Sequence, residues 1–105
     1  MIEETYNLYQ GNDFKIEKLI LKKNGQYIHM VLPKDTGLPV HEANAELFMT
    51  VIRGSLTIGL NDLEKNTYYA GTMINIPFQS KMEVKNYHDE VLELIVVKIN
   101  PEKVV

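Results

Sequence analysis

The three histidines are the side chains of this sequence with the most versatile chemistry. An imidazole changes charge close to neutral pH, so it can act as a general base, and its nitrogens also bind transition metals. His41 lies in the loop-like segment GLPVHEANA, whereas His29 lies in the middle of QYIHMVL, which has the character of a strand. His88 lies in the polar turn NYHDE, where we expect a solvated side chain. His41 is therefore the main candidate for chemistry, and His29 is the second.

The charged residues argue against a nucleic-acid partner. The chain carries 11 basic and 14 acidic residues, a formal net charge of −3, and Arg53 is its single arginine. A nucleic-acid binder needs a basic face that replaces the counterions of the phosphates. Arg53 precedes Gly54, and we expect it at a solvated strand end. The alternative is that its guanidinium group binds a carboxylate.

The absence of cysteine and of long apolar runs limits the class of protein. Without cysteine, disulfides, thiol catalysis and cysteine-ligated zinc or iron–sulfur sites are excluded. The 105 residues, with a mass of 12.1 kDa, fit a single domain. The N-terminus is acidic and polar, and no apolar run approaches the ~20 residues of a membrane span. We therefore expect a soluble cytoplasmic protein without a membrane partner.

Alternating and β-branched segments predict an all-β protein. The dipeptide Asn24-Gly25 separates two apolar segments and is expected to form the two-residue turn of a hairpin. A helix over 42–50 is the alternative for HEANAELFM, but the β-branched residues that follow favour a strand. About eight short strands, spaced as in an antiparallel sandwich or barrel, are predicted over residues 17–23, 26–33, 46–54, 55–60, 64–71, 72–77, 80–87 and 90–99.

Two segments, GLPVHEANAELFMTVIRG (37–54) and GTMINIPFQSKMEVKN (71–86), carry a family-level signal. Together they resemble the two sequence motifs of the cupin family, small jelly-roll barrels with a double-stranded β-helix fold. In the first motif, His41 stands where the family has its first metal-binding histidine. Ala43 falls at the second histidine and Leu47 at the glutamate.

The turn positions of the motifs match the family better than the metal-binding positions do. Four residues occupy the expected glycine, proline and asparagine positions: Gly54, Gly71, Pro77 and Asn86. Gln79 replaces a glycine of the second motif, and Met82 stands at its metal-binding histidine. The resemblance covers roughly residues 15–100 as a barrel and leaves residues 1–14 as an N-terminal strand or arm.

The resemblance implies a site at which three histidines and a glutamate hold iron, manganese, nickel or zinc. Because only His41 remains of these four ligands, we expect that the metal site is lost and that the protein has no metal cofactor. The alternative is a relocated site around His41, with His29, Glu42, Asn44 or Glu46, in a small metal-dependent dioxygenase or isomerase. For His29 itself, the alternatives are a hydrogen-bonded position in the barrel wall or on its outer face.

The substitutions also predict the character of the barrel interior. Strand residues alternate between faces, so Met49 and Val51 should face inward together with Leu47. Methionines among branched aliphatic residues make an adaptable apolar lining. The interior is either a filled core or a pocket for a small apolar or aromatic metabolite. The predicted pocket lining is His41, His29, Ala43, Leu47, Met49, Val51, Met82 and Val84.

A metal-free binding, sensing or accessory module is the function that this interpretation favours. The alternatives are the metal-dependent enzyme, a metal-free enzyme with His41 as general base, and a structural scaffold. A homodimer is also expected, because small cupins commonly pair and because TYNLYQ (5–10) is apolar enough to pack but has no partner strand. One ring of the pair Tyr68-Tyr69 is expected to pack on the barrel while the other is exposed.

Overall fold

Nine β-strands form the architecture of residues 2–101, the part of the chain that the computed structural model describes. They are β1 (Lys15–Lys22), β2 (Gly25–Leu32), β3 (His41–Glu42), β4 (Glu46–Arg53), β5 (Ser55–Leu60), β6 (Asn66–Tyr69), β7 (Met73–Ile76), β8 (Lys81–Lys85) and β9 (Leu92–Ile99). These residues contain no helix, and hence none that could cross a membrane. The all-β prediction is confirmed, and the alternative of a helix over 42–50 is wrong.

The strands form two antiparallel sheets with an apolar core between them. The five-stranded sheet has the order β1-β2-β9-β4-β7, and the four-stranded sheet has the order β3-β8-β5-β6. Most neighbouring strands are distant in sequence, which is the winding of a double-stranded β-helix. Both sheets contribute to the core, with side chains that include Ile28, Leu47, Leu56, Val84 and Leu94. Tyr68 packs against this core and Tyr69 is 64% exposed, as expected.

The hairpin between β1 and β2 is confirmed, but its turn lies one residue earlier than predicted. Lys22 pairs with Gly25, so the turn residues are Lys23 and Asn24. Asn100 donates from its side chain to the carbonyl oxygen of Lys23 and from its backbone to that of Asn24, both at 3.0 Å. Gly25 allows β2 to lie close to β9, since a Cβ at this position would be 2.6 Å from a carbonyl oxygen of β9.

Three turn positions of the family motifs have a backbone with positive φ. Gly54 has a φ of 80° and Gly71 a φ of 92°. Gln79, which replaces a family glycine, keeps a positive φ of 70°, a conformation that costs an L-residue roughly 1–2 kcal/mol. Its N–H donates to the carbonyl oxygen of Ala43 at 2.8 Å. The turn of the second motif has therefore been kept although its glycine has not.

Asn86, the asparagine of the second motif, has a structural role. Its buried side chain donates to the carbonyl oxygens of Leu32 and Glu90, both at 2.9 Å, and accepts the backbone N–H of His88 at 2.9 Å. His88 is half-buried instead of solvated, because its Nε2 lies 3.0 Å from the hydroxyl of Thr57. Asn86 thus holds the loop between β8 and β9.

The described residues before β1 form an arm without strand structure on the outer face of the five-stranded sheet. The backbone N–H of Tyr9 donates to Glu17 Oε2 at 3.0 Å. Arg53 of β4 donates to the side-chain oxygen of Asn12 at 2.7 Å and to a neighbouring carbonyl oxygen at 3.3 Å. The arm is therefore tied to both β1 and β4.

Candidate functional site

A cavity of about 170 Å³ opens between the two sheets. Its inner part is lined by side chains of the buried core, namely Ile28, Met30, Leu47, Met49, Met82 and Val96. Its rim is formed by Ile16, Lys18, Leu38, Pro39, His41 and Lys98. Half of the inner side chains are methionines, whose flexible thioethers adapt to the shape of a neighbour. The barrel is therefore not completely filled at this end.

The predicted pocket residues divide into three groups in the structure. Four of them border the cavity: His41, Leu47, Met49 and Met82. Three others, Ala43, Val51 and Val84, are buried in the same core cluster. The eighth, His29, points to the opposite side of the sheet and is described below.

His41 lies exposed at the rim of the cavity, on β3 and opposite Met82 of β8. Its Nδ1 lies 2.7 Å from the carbonyl oxygen of Pro39. Because a carbonyl oxygen only accepts, Nδ1 carries a hydrogen and donates it. In the neutral ring, Nε2 is then the nitrogen that can accept a hydrogen bond from a bound molecule.

The positions at which cupins bind metal do not form a metal site in this chain. His41 supplies one nitrogen, whereas Ala43 and Leu47 have no donor atom and Met82 offers a thioether, a poor ligand for hard divalent metals. The last three are buried in the apolar core, with exposures of 3%, 2% and 3%. Within residues 2–101, no group of three or more histidine, aspartate or glutamate side chains is placed to hold an ion. The donor set therefore does not fit the metal of the family.

His29 does not line the cavity, which corrects the placement expected from the sequence. It lies between Ile28 and Met30, which face the cavity, so its side chain points to the outer face of the sheet. There it is completely buried, with Nδ1 2.8 Å from Glu17 Oε2 and Nε2 2.7 Å from Glu93 Oε2. The hydrogen-bonded position on the outer face, one of the alternatives for His29, is the one observed.

Glu17, His29, Arg53 and Glu93 form a compensated charge cluster, the outer cluster. Each histidine–carboxylate contact needs a hydrogen between its two atoms, so His29 is an imidazolium, or one carboxyl group keeps a proton. Arg53 Nε lies 3.3 Å from Glu93 Oε1, which brings the net charge of the cluster to zero. The hydrogen bonds from the backbone of Tyr9 and from His29 lower the pKa of Glu17. Arg53 thus lies at a strand end, as expected, where its side chain is 35% exposed and forms an ion pair with a carboxylate of its own chain.

Lys18 and Lys98 also lie at the cavity rim, although neither belongs to the lining predicted from the sequence. Lys98 continues the inward-facing row of β9 after Val96, an alternation that is visible in the sequence. Lys18 lies opposite Ile28 and also faces inward, but a register shift between Lys18 and Ile20 hides this in the sequence pattern. Burial and the nearby charge of Lys18 both lower the pKa of Lys98.

Three other depressions are larger than this cavity. One, of about 210 Å³, is bordered by Val40, Gly59 and Lys81. The other two, of about 240 and 350 Å³, lie on the outside of the barrel. Both are bordered by Ile20 and Tyr27, and Tyr27 faces away from the core because its neighbour Ile28 faces the core. The smaller of these two also includes Tyr6 and Leu8 of the arm. None of the three contains a histidine or one of the turn and metal-binding positions of the motifs, so the cavity between the sheets is the candidate site.

The two sheets and the motif turns define a double-stranded β-helix, and comparison with known proteins identifies its family. The chain is 34% identical to the uncharacterized protein MJ0764 of Methanocaldococcus jannaschii, over 98% of this chain and 90% of that protein. The crystal structure of MJ0764, an RmlC-like cupin family protein with a double-stranded β-helix fold, matches with a TM-score of 0.90 at 33% identity, over 95% of this chain and 93% of that chain. This chain belongs to the cupin family.

More distant structures share the fold alone. The SPY1581 protein of unknown function from Streptococcus pyogenes matches with a TM-score of 0.79 at 16% identity, over 97% of this chain and 93% of that chain. A cupin 2 conserved barrel domain protein from Salinispora arenicola matches with a TM-score of 0.75 at 16% identity, over 95% and 89% of the two chains. A scan against protein-family models gave no match.

Proposed function

We propose that this cupin is a metal-free binding or sensing module that holds a small, mainly apolar molecule in the cavity between its sheets. The observation that carries the proposal is the cavity of about 170 Å³, lined by buried apolar side chains at the end of the barrel where the family binds metal. The loss of donor atoms at Ala43, Leu47 and Met82 supports a site that binds by shape and burial instead of by metal coordination.

The volume of the cavity limits the size of the ligand. An engineered apolar cavity of ~150 Å³ in another protein binds benzene. A cavity of about 170 Å³ therefore suits one six-membered ring or a short aliphatic chain. Burial of this apolar surface supplies the affinity, at roughly 25 cal/mol per Å² removed from water. His41 at the rim adds a polar contact through Nε2.

The methionine methyl groups provide a direct test of binding in this cavity. Met30, Met49 and Met82 line it, whereas Met73 on β7 is 59% exposed elsewhere and serves as the internal control. Titration of methyl-¹³C-methionine protein with toluene should shift the three cavity resonances in a saturable manner and leave Met73 unchanged. No shift at a saturating toluene concentration, or equal shifts at all methionines, would overturn the proposal.

The metal-free part of the proposal has its own experiment. Untagged protein, purified without chelator, is analysed for metals by mass spectrometry beside a His41→Ala variant. We expect metal far below one equivalent in both samples. Near-stoichiometric iron, zinc, nickel or manganese that disappears in the variant would show that His41 belongs to a working metal site.

A further inference from the structure

Two lysines on different strands border the same cavity. Lys98 on β9 follows the inward-facing Val96, and Lys18 on β1 lies opposite the inward-facing Ile28. Both side chains therefore belong to the inner face of the five-stranded sheet, at the rim of an otherwise apolar space. Lys18 is exposed at this rim, whereas Lys98 is half-buried. The ammonium group of Lys98 therefore loses part of its hydration next to apolar side chains.

Neither ammonium group is neutralised by a carboxylate of the residues that the structure describes. Three other lysines form ion pairs: Lys34 with Asp89, Lys65 with Glu83 and Lys81 with Asp62. Among residues 2–101, the one polar contact of Lys98 Nζ is a long one, 3.5 Å from the neutral side-chain oxygen of Asn44. Burial lowers the pKa of Lys98, and the nearby charge of Lys18 lowers it further.

Two carboxylates beside these lysines, one adjacent along β1 and one on the neighbouring strand β4, are directed elsewhere. Glu17 precedes Lys18 but lies on the opposite face, where it binds His29. Glu46 precedes the inward-facing Leu47 and contacts Asn75 at 3.3 Å. The rim thus carries positive charge that these neighbouring carboxylates do not balance.

We infer that the ligand of this cavity is a small monocarboxylic acid, whose carboxylate is bound by Lys18 and Lys98 and whose apolar body lies among the methionines. The inference rests on the proposed function, since it names the class of molecule that the cavity would bind. A carboxylate would supply the missing negative charge, and hydrogen bonds to charged groups are among the strongest that proteins form. The cavity volume restricts the body to about one ring or a short chain.

The test compares two probes of similar size and shape, benzoate and benzyl alcohol, by calorimetry and by the methionine resonances at neutral pH. Benzoate should bind at least about tenfold more tightly than the alcohol, because only benzoate forms charged hydrogen bonds with the lysines. Equal binding of the two probes would overturn the inference but would leave the proposed function intact. If neither probe shifts the cavity methionines, the proposed function itself fails.

Variants of the two lysines test whether their ammonium groups cause the preference for benzoate. Lys18→Met and Lys98→Met keep the length of the apolar stem of lysine and remove its ammonium group. Each should weaken benzoate binding about tenfold while leaving benzyl alcohol binding unchanged. Lys22→Met, on β1 but outside the cavity, is the matched control and should bind both probes like the unchanged protein. Full benzoate affinity in both cavity variants, or an equal loss in the Lys22 control, would overturn the assignment to these lysines.

Discussion

The two faces of the five-stranded sheet differ in how their charges are balanced. On the outer face, the buried His29 has a carboxylate at each ring nitrogen, and the arm covers the cluster. On the inner face, Lys18 and Lys98 border an apolar cavity and form no ion pair within the described residues. Because charge buried without a partner is costly, the balanced outer cluster is a structural element, whereas the rim of the cavity has bonding capacity left for a ligand.

The two histidines show the same difference. His29 uses both ring nitrogens within the protein, whereas His41 uses Nδ1 for the carbonyl oxygen of Pro39 and keeps Nε2 for another partner. Residue type alone would rank the two equally. The number of unsatisfied atoms separates a structural histidine from a candidate binding residue.

The largest expected effect comes from breaking the outer cluster. His29→Leu leaves Glu17 and Glu93 close together without the group between them and should lower the free energy of unfolding by about 3–5 kcal/mol. His41→Ala, at the exposed rim, should change it by less than about 0.5 kcal/mol. Urea unfolding at pH 7 measures both. Similar losses in the two variants would contradict the distinction between the faces.

Removal of residues 1–12 tests what the arm contributes to the outer face. It deletes the hydrogen bonds of Tyr9 and Asn12 and exposes the cluster, so we expect a loss of about 2 kcal/mol in the free energy of unfolding.

The expected homodimer stays a prediction, and the arm borders an apolar depression with Tyr27 that a second copy would cover. Sedimentation at several concentrations should show weaker dimers after truncation. An unchanged sedimentation coefficient would mean that the arm acts within one subunit.

The pH dependence of stability should also originate on the outer face. The pKa of Glu17 is lowered from 4.5 by the backbone of Tyr9 and by His29, so its contribution is fully present above that value and is lost as the pH falls through the lower, folded-state pKa. When the pH falls from 5 to roughly 3, the free energy of unfolding should therefore decrease less in Glu17→Gln than in the unchanged protein. Glu64→Gln, at an exposed position outside the cluster, is the control. Unfolding curves that coincide for Glu17→Gln and the unchanged protein would reject the assignment.

The smallest change in stability is expected on the inner face, and there the free energy of unfolding should increase. In the absence of ligand, Lys98→Met replaces an unbalanced ammonium group by an apolar side chain and should raise the free energy of unfolding by about 0.5–1 kcal/mol. Lys22→Met, outside the cavity, should leave it unchanged. A clear loss of stability in Lys98→Met would show that Lys98 is already compensated within the protein, and the contrast between the two faces would not hold.

Local patterns explain why the fold and much of the cavity could be predicted. The alternation of Leu47, Met49 and Val51 indicates one buried face of a strand, and the spacing of the motif turns identifies the barrel. The turn spacing identifies the barrel even where a glycine is replaced, because Gln79 has the positive φ expected of the glycine at that position. The dipeptide Asn24-Gly25 predicts a turn one residue later than the observed turn at Lys23 and Asn24, because Gly25 is the residue that lets β2 approach β9 closely.

The sequence by itself determined the all-β fold, the family resemblance, the loss of metal ligands and the apolar character of the interior, since these follow from residue types and short-range spacing. Only the tertiary structure decided which face His29 occupies and which groups it meets, because Glu17 and Glu93 are 12 and 64 residues away along the chain. It also decided that Lys18 shares a cavity with Lys98. A register shift in β1 sets that geometry, and it depends on pairing with β2, which no local pattern contains.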